Sequence, residues 1–236
     1  MKLGIMQPYF FPYIGYWQLI NWVDEYIVFD DVNYIKRGWI NRNFILFNGQ
    51  PKRINLYIKD ASQNRLIKDT ELAQTAEDNI VLLKNIKQGY AKAPYFYETY
   101  SLIEDILQYP TTNLAEYLMH QIEIICDYLG IKTKILRSSA IKKDMCLKGE
   151  EKIIDLCRKR GADTYINPIG GQYLYHQERF KKENIELSFL QANKICYKQF
   201  ENSFVPYLSI IDVMMFNSMA EITDLLYAFE LENSIM

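Results

Sequence analysis

Residues 1–43 read MKLGIMQPYFFPYIGYWQLINWVDEYIVFDDVNYIKRGWINRN, and the order of apolar runs and breaks in them decides the fold. A short apolar run, Leu3 to Met6, ends at Gln7-Pro8, and an aromatic turn leads through Pro12 to Gly15. A helical pattern follows, then a second apolar run, Tyr26 to Phe29, which stops at Asp30-Asp31. Asn33, Tyr34, Lys36, Arg37, Trp39, Asn41, Arg42 and Asn43 come next. Strand, turn, helix, strand, then polar side chains beyond the second strand: an open α/β sheet builds a ligand crevice in this way.

Outward from this stretch the rhythm continues. Apolar runs of β-type composition recur at Ile54–Ile58, Thr133–Leu136, Thr164–Ile166 and Glu186–Leu190. Glu150 to Arg160 has helical spacing, with basic residues in its last turn and Gly161 as its stop. The alternation predicts an α/β protein with an open, mostly parallel, Rossmann-like sheet of the nucleotidyltransferase kind. Residues 61–129 depart from it. Leu66 to Ile86, Tyr95 to Leu107 and Leu114 to Leu129 read as helix, with breaks around Gly89-Tyr90 and at Pro94, Pro110 and Asn113. The predicted organisation is an α/β core over 1–60 and 130–236, with a helical insertion, 61–129, over the carboxyl edge of the sheet. That insertion would serve as a lid or as the surface of a homodimer.

Composition narrows the function classes. A net charge of −2 gives no reason to expect DNA or other nucleic acid as a partner. Cys126, Cys146, Cys157 and Cys196 form no CxxC pair, and the only histidines are His120 and His176, so no zinc site is expected. Free thiols fit a reducing compartment. Pro8 and Pro12 interrupt the opening apolar pattern, so no signal peptide is predicted, and no apolar run reaches the roughly 18 residues of a membrane span. The expectation is a cytoplasmic protein without membrane insertion. Tyrosine, at 19 residues, is the anomaly; its amphipathic ring suits sugar or base stacking as well as half-buried packing.

Three segments at predicted strand ends supply the candidate site. The first holds Gln7, Tyr13, Gly15 and Tyr16: Gly15 lets a ligand approach the backbone, and a helix N-terminus favours phosphate. This turn looks like the HxGH turn of nucleotidyltransferases and pantothenate synthetase, with Tyr13 and Tyr16 where those enzymes use histidine. Tyrosine supplies no imidazolium, so the fold analogy gains and adenylyl transfer loses. In the second segment Asp30 or Asp31 is a base or Mg²⁺ ligand, and Lys36, Arg37 and Arg42 clamp a diphosphate with Asn41 and Asn43. Tyr34 and Trp39 are interleaved as stacking surfaces. The third segment offers Asn167 with the backbone N–H groups of Gly170 and Gly171. His176 just beyond is the one plausible imidazole base, so the catalytic candidates are Asp30, Asp31, Lys36 and His176. The competing interpretations are a tight structural turn, a solvated charged loop and a strand-to-helix connection.

Four motifs, in order, carry a family resemblance: QPYFFPYIGY from Gln7, DDVNYIKRGWINRN from Asp30, GADTYINPIGGQYL from Gly161, and FVPYLSIIDVMMFN from Phe204. On these the whole chain resembles the WbqC-like protein family. The resemblance implies a role in bacterial surface-polysaccharide (O-antigen, lipopolysaccharide) biosynthesis, decorating a sugar with an acyl or aminoacyl group. Joined to the crevice, it predicts an amide-forming transferase or ligase that modifies a nucleotide-linked amino sugar with a small acyl or amino-acid donor. The cofactor stays open, with ATP and Mg²⁺ among the options beside a thioester or aminoacyl-tRNA. A non-catalytic sugar-nucleotide or glycan-binding accessory protein is the alternative, and a nucleotidyltransferase with a degenerate HxGH motif a further one.

Overall fold

Six strands form the main sheet of the computed structural model, which describes residues 1–201 and 203–233. The first half of the chain runs β1 (Lys2–Met6), α1 (Ile14–Trp22), β2 (Glu25–Val28), β3 (Arg42–Phe47), β4 (Gln50–Asn55), α2 (Ala76–Tyr90), α3 (Phe96–Leu107) and α4 (Leu114–Tyr128). The second half runs β5 (Lys134–Arg137), α5 (Gly149–Arg160), β6 (Thr164–Pro168), α6 (Gln177–Lys182), β7 (Glu186–Ala192), α7 (Ile210–Phe216), α8 (Met219–Leu226) and β8 (Phe229–Asn233). The sheet order is β5-β2-β1-β6-β7-β8, parallel except for the antiparallel edge strand β8. Counting these six strands in chain order, this is the 3-2-1-4-5-6 winding of dinucleotide-binding folds. The winding reverses between β1 and β6, and right-handed crossovers then place helices on opposite faces.

The side-chain pattern shows both faces covered. Leu3 and Ile5 of β1 pack with Ile153, Leu156 and Phe180 from α5 and α6. Tyr26 and Val28 of β2 face the other way, into a larger cluster with Trp17 and Leu19 of α1. Leu82, Ile103, Leu118 and Met214, from α2, α3, α4 and α7, share that cluster. The helices of residues 61–129 therefore build the core as α1 does, and α4 brings the chain back to β5.

Two local readings are corrected. The expected strand at Ile54–Ile58 is outside the main sheet: β4 ends at Asn55 and pairs antiparallel with β3. Its turn is Asn48-Gly49, with φ of 50° and 73°, the left-handed pair of a tight hairpin. The helix expected from Leu66 starts only at Ala76, because Thr75 and Asp78 form a capping box there. Upstream, Leu66 and Leu72 take single β-bridges with Asn33 and Ile58. Helices α7 and α8 and strand β8 have no counterpart in the sequence-based pattern.

Gly89, near the end of α2, shows how closely the hairpin packs: a Cβ there would lie 2.5 Å from the Leu46 carbonyl oxygen. Gly→Ala inside a helix ordinarily stabilises by about 1 kcal/mol. Here Gly89→Ala is expected to destabilise by roughly 1–3 kcal/mol, as overpacking does. The check is urea unfolding, where the midpoint should fall at unchanged slope. A raised midpoint would mean that α2 and β3 are less tightly apposed.

Candidate functional site

The connection from β1 to α1, Gln7–Tyr13, contains no glycine, yet Phe11 takes a left-handed φ of 42°. That conformation costs a bulky L-residue on the order of 1–2 kcal/mol and persists only where its surroundings over-determine it. Here they do. The Asn43 amide, at the start of β3, donates to the carbonyls of Phe10 (3.0 Å) and Phe11 (2.7 Å). Gln121 of α4 donates to the Tyr9 carbonyl and accepts from the Phe11 N–H, both at 3.1 Å. Ser209, which caps α7, donates to the Phe11 carbonyl at 2.8 Å. The Pro12 carbonyl accepts from the Trp17 indole (3.1 Å) and the Ile210 N–H (3.0 Å). Every carbonyl from Tyr9 to Pro12 is paired, as buried backbone requires.

This connection walls a cavity of about 430 Å³ at the switch point. Met6 ends β1 on one side, Pro168 ends β6 with Ile169 just beyond it on the other, and Leu190 and Ala192 come from β7. Tyr9, Pro12, Tyr13, Gly15 and Tyr16 line it from the connection and the first turn of α1, with Trp39, Asn43 and Tyr207 opposite. The rings of Tyr13 and Tyr207 lie 5.7 Å apart, as do those of Tyr9 and Tyr16. Burial, then the neighbouring Tyr173 and Tyr175, pushes the Tyr9 phenol up; burial and Tyr207 do the same at Tyr13. Both stay neutral hydrogen-bonding groups in water. The lining contains no Asp, Glu, Lys, Arg or His. No side chain caps α1, whose first turn at Gly15 faces the cavity.

Of the sequence candidates, Tyr13, Gly15, Tyr16, Trp39 and Asn43 meet on the cavity wall. Gln7 sits between the lining residues Met6 and Tyr9, and its carbonyl accepts from the Tyr16 hydroxyl at 3.2 Å. The others are elsewhere. Asp30 is fully buried and engaged by Arg137 (3.0 Å) and by the N–H (2.8 Å) and hydroxyl (2.6 Å) of Ser139. Asp31 lies between two buried ammonium groups, Lys143 at 2.6 Å and Lys152 at 3.1 Å. Burial works against its charged form, but Lys143, Ser138 and Lys152 outweigh burial and hold the carboxyl below its usual range. Both aspartates thus have their oxygens occupied by groups from residues 137–152, which reach them only through the fold.

Lys36 and Arg37 are exposed, and Arg42 donates to the Gly38 carbonyl at 3.0 Å, closing its own loop. Tyr34 donates to Asn41, which donates to the Leu56 carbonyl, both at 2.8 Å. Asn167 donates to the Tyr165 hydroxyl at 2.7 Å, and its own oxygen occupies the space that a Cβ at Gly171 would need. Gly171 is therefore explained by close packing, while Gly170 is exposed. His176 is also exposed, with Nδ1 3.3 Å from Glu150 of α5. Among the described residues, no group of three or more His, Cys, Asp and Glu side chains comes together as a metal cage would need.

Met6, Tyr9, Pro12, Pro168, Ile169, Leu190, Ala192 and Tyr207 join the lining without having been singled out in the sequence. Tyr9, Pro12, Pro168, Ile169 and Tyr207 lie inside quoted motifs, which was the available signal. The left-handed φ of 62° at Tyr207 belongs to the fold alone.

Behind Tyr13 and Tyr207 lies a buried polar knot. Asp212 of α7 accepts from the hydroxyls of Tyr90 (2.8 Å) and Tyr197 (2.7 Å) and from the Gln199 amide (2.6 Å). Gln199 also exchanges two hydrogen bonds with the Val205 backbone, so the knot fixes the segment that carries Tyr207. Burial pushes the Asp212 carboxyl up to about 6, against the lowering effect of its three donors.

The chain is similar to known proteins along nearly its whole length. The family described as "WbqC-like protein family" matches residues 7–224. "Uncharacterized protein Rv1507c" of Mycobacterium tuberculosis is 28% identical over 233 residues, covering 95% of this chain and 97% of the relative. No solved structure matches.

Two stability measurements test the site's scaffold. Asn43→Ala leaves the buried Phe10 carbonyl without a donor and the Phe11 carbonyl with Ser209 alone, and is expected to cost about 1–3 kcal/mol in urea unfolding. A loss under 0.5 kcal/mol, the scale of ordinary surface changes, would show that Phe11 keeps its conformation without the clamp. Asp212 gives a pH signature. Its carboxyl binds a proton more tightly folded (about 6) than unfolded (3.8), so its contribution is full below the lower value and is lost as pH rises through the upper. Relative to Asp212→Asn, the parent should lose about 2 kcal/mol between pH 4 and 7. Parallel curves for the two proteins would refute the shift.

Proposed function

The chain belongs to the WbqC-like protein family, and from that premise we propose that it binds a nucleotide-linked sugar of bacterial surface-polysaccharide assembly. One observation carries the proposal: a cavity lined by four tyrosines and a tryptophan, free of charged side chains, beside the uncapped N-terminus of α1. Aromatic faces take the apolar face of a pyranose or a base, and phenol hydroxyls take its hydroxyl groups. The N–H groups of the first turn of α1 receive the diphosphate, as helix N-termini do at such switch points. Lys36 and Arg37 lie in the loop leading to Trp39 and draw the anion in from a distance. Residues 61–129 act as a helical insertion that braces the cavity through Gln121, and 1–60 with 130–236 form the binding core.

A second reading is favoured by the switch-point topology, which nucleotidyltransferases share. It is an amide-forming acyl or aminoacyl transfer onto the same sugar, with ATP one option for activating the donor. Such transfer needs a base at the reacting amine. Asp30 and Asp31 are tied in buried ion pairs and His176 is outside the lining, so binding is the better supported of the two.

Calorimetric titration with UDP- and dTDP-linked amino sugars tests both. Trp39→Ala and Tyr13→Ala should each weaken binding about tenfold, near 1.4 kcal/mol, without a large change in Tm. Unchanged affinity in both variants would remove the cavity as the site. Release of pyrophosphate or AMP by the purified protein, given ATP, candidate acids and the sugar nucleotide, would put the transfer reading first.

A further inference from the structure

The rim of the cavity carries more apolar surface than a water-facing edge usually does. Ile35, Trp39, Tyr173, Leu174 and Tyr207 are between 46% and 83% exposed. They come from three separate segments that the topology brings to one mouth. Trp39 and Tyr207 line the cavity itself. Ile35 packs over Gly38, within 3.3 Å of where a Cβ would be, beside Trp39. Tyr173 and Leu174 end the 3₁₀ turn that starts at the lining residue Ile169, and Tyr173 is near enough to Tyr9 to perturb its phenol.

Charge is distributed to match. Residues 32–59 contain no Asp or Glu, and of their six basic side chains Lys59 is paired with Glu71 and Arg42 turns onto the Gly38 carbonyl, which leaves Lys36 and Arg37 beside the rim. The neighbouring acids, Asp30 and Asp31, are neutralised in buried ion pairs. Lys36 and Arg37 are exposed between Ile35 and Trp39, and neither forms an ion pair among the described residues.

We propose that this mouth docks on the surface of an anionic lipid bilayer, with the apolar rim entering the headgroup layer and Lys36 and Arg37 on lipid phosphates. Trp and Tyr favour that layer, and each cation near it adds attraction that salt screens. Exposed aliphatic side chains such as Ile35 and Leu174 separate this partner from a nucleic acid. They gain from burial among acyl chains and gain nothing on a polar phosphate backbone. No helix of the described residues is long and apolar enough to span a membrane, so the contact is peripheral. It does not depend on what the cavity holds.

The test is co-sedimentation of the full chain with phosphatidylglycerol–phosphatidylethanolamine vesicles and with phosphatidylcholine vesicles, at low and high salt. Binding should be confined to the anionic vesicles, and Lys36→Glu/Arg37→Glu should remove its salt-sensitive part. Ile35→Ser/Leu174→Ser should weaken partition at least tenfold while the melting curve stays put. Brominated lipids should quench tryptophan emission of the parent and not of Trp39→Phe, a readout independent of whether the serine variant folds. Absence of binding to anionic vesicles, binding unchanged in both double variants, or retention by single-stranded RNA with no vesicle binding would overturn the proposal. Sugar-nucleotide affinity is measured without vesicles, so the two proposals fail separately.

Discussion

The structure depends on four backbone carbonyls. In a doubly wound sheet the link from the first strand to the first helix runs through the most crowded point of the molecule, and glycine is the usual means of passing it. This chain sends Tyr9-Phe10-Phe11-Pro12 through instead, which buries two phenylalanine rings and leaves the carbonyls of all four residues facing protein. An unpaired buried carbonyl costs about 1–3 kcal/mol, so the link holds only if donors arrive from elsewhere. Asn43, Gln121 and Ser209, from the hairpin, α4 and the cap of α7, supply the carbonyls of Tyr9, Phe10 and Phe11, and the Trp17 indole with the Ile210 N–H supplies that of Pro12. The accessory elements around the sheet thus have a common purpose.

The two aspartates at the end of β2 show the opposite case, where a functional appearance has a structural cause. Carboxylates at the carboxyl end of a parallel strand are where a base or metal ligand would be sought. Here the end of β5, the segment after it and α5 place Arg137, Lys143 and Lys152 on them. Buried ion pairs of this kind contribute little net stability, yet removing one partner is costly because the other stays charged and dry. They fix the end of β2 relative to α5, and the cavity is left without a charged side chain.

The main sheet was legible because its strands are short apolar runs that end at polar clusters, and Leu3–Met6, Tyr26–Phe29 and Glu186–Leu190 each overlap an observed strand. The hairpin was missed although Asn48-Gly49 announces it, since β3 and β4 carry charged residues that hide an apolar run. At the site, the legible residues were those with distinctive chemistry in the opening motif: Tyr13, Gly15, Tyr16, Trp39 and Asn43. Met6, Leu190 and Ala192 look like core residues in any one-dimensional view, and only sheet order shows that they face space. Arg42 shows the opposite limit, because spacing says nothing about whether a loop turns its charge into a crevice or, as here, onto the carbonyl of its own Gly38.

The clamp on Phe11 also sets an order in time. Its donors lie far along the chain: Gln121 is 110 residues from Phe11 and Ser209 is 198. At roughly 5–20 residues per second of synthesis, the opening segment waits some ten seconds or more for its last partner to be made. Until then the Phe10 and Phe11 rings and the neighbouring tyrosines have no fixed place, and they form an apolar, strand-adjacent stretch of the nascent chain. A segment made well before its partners is therefore locked only when they arrive. A chain truncated before Ser209 would present the segment as a ligand for chaperones before it could bind anything of its own.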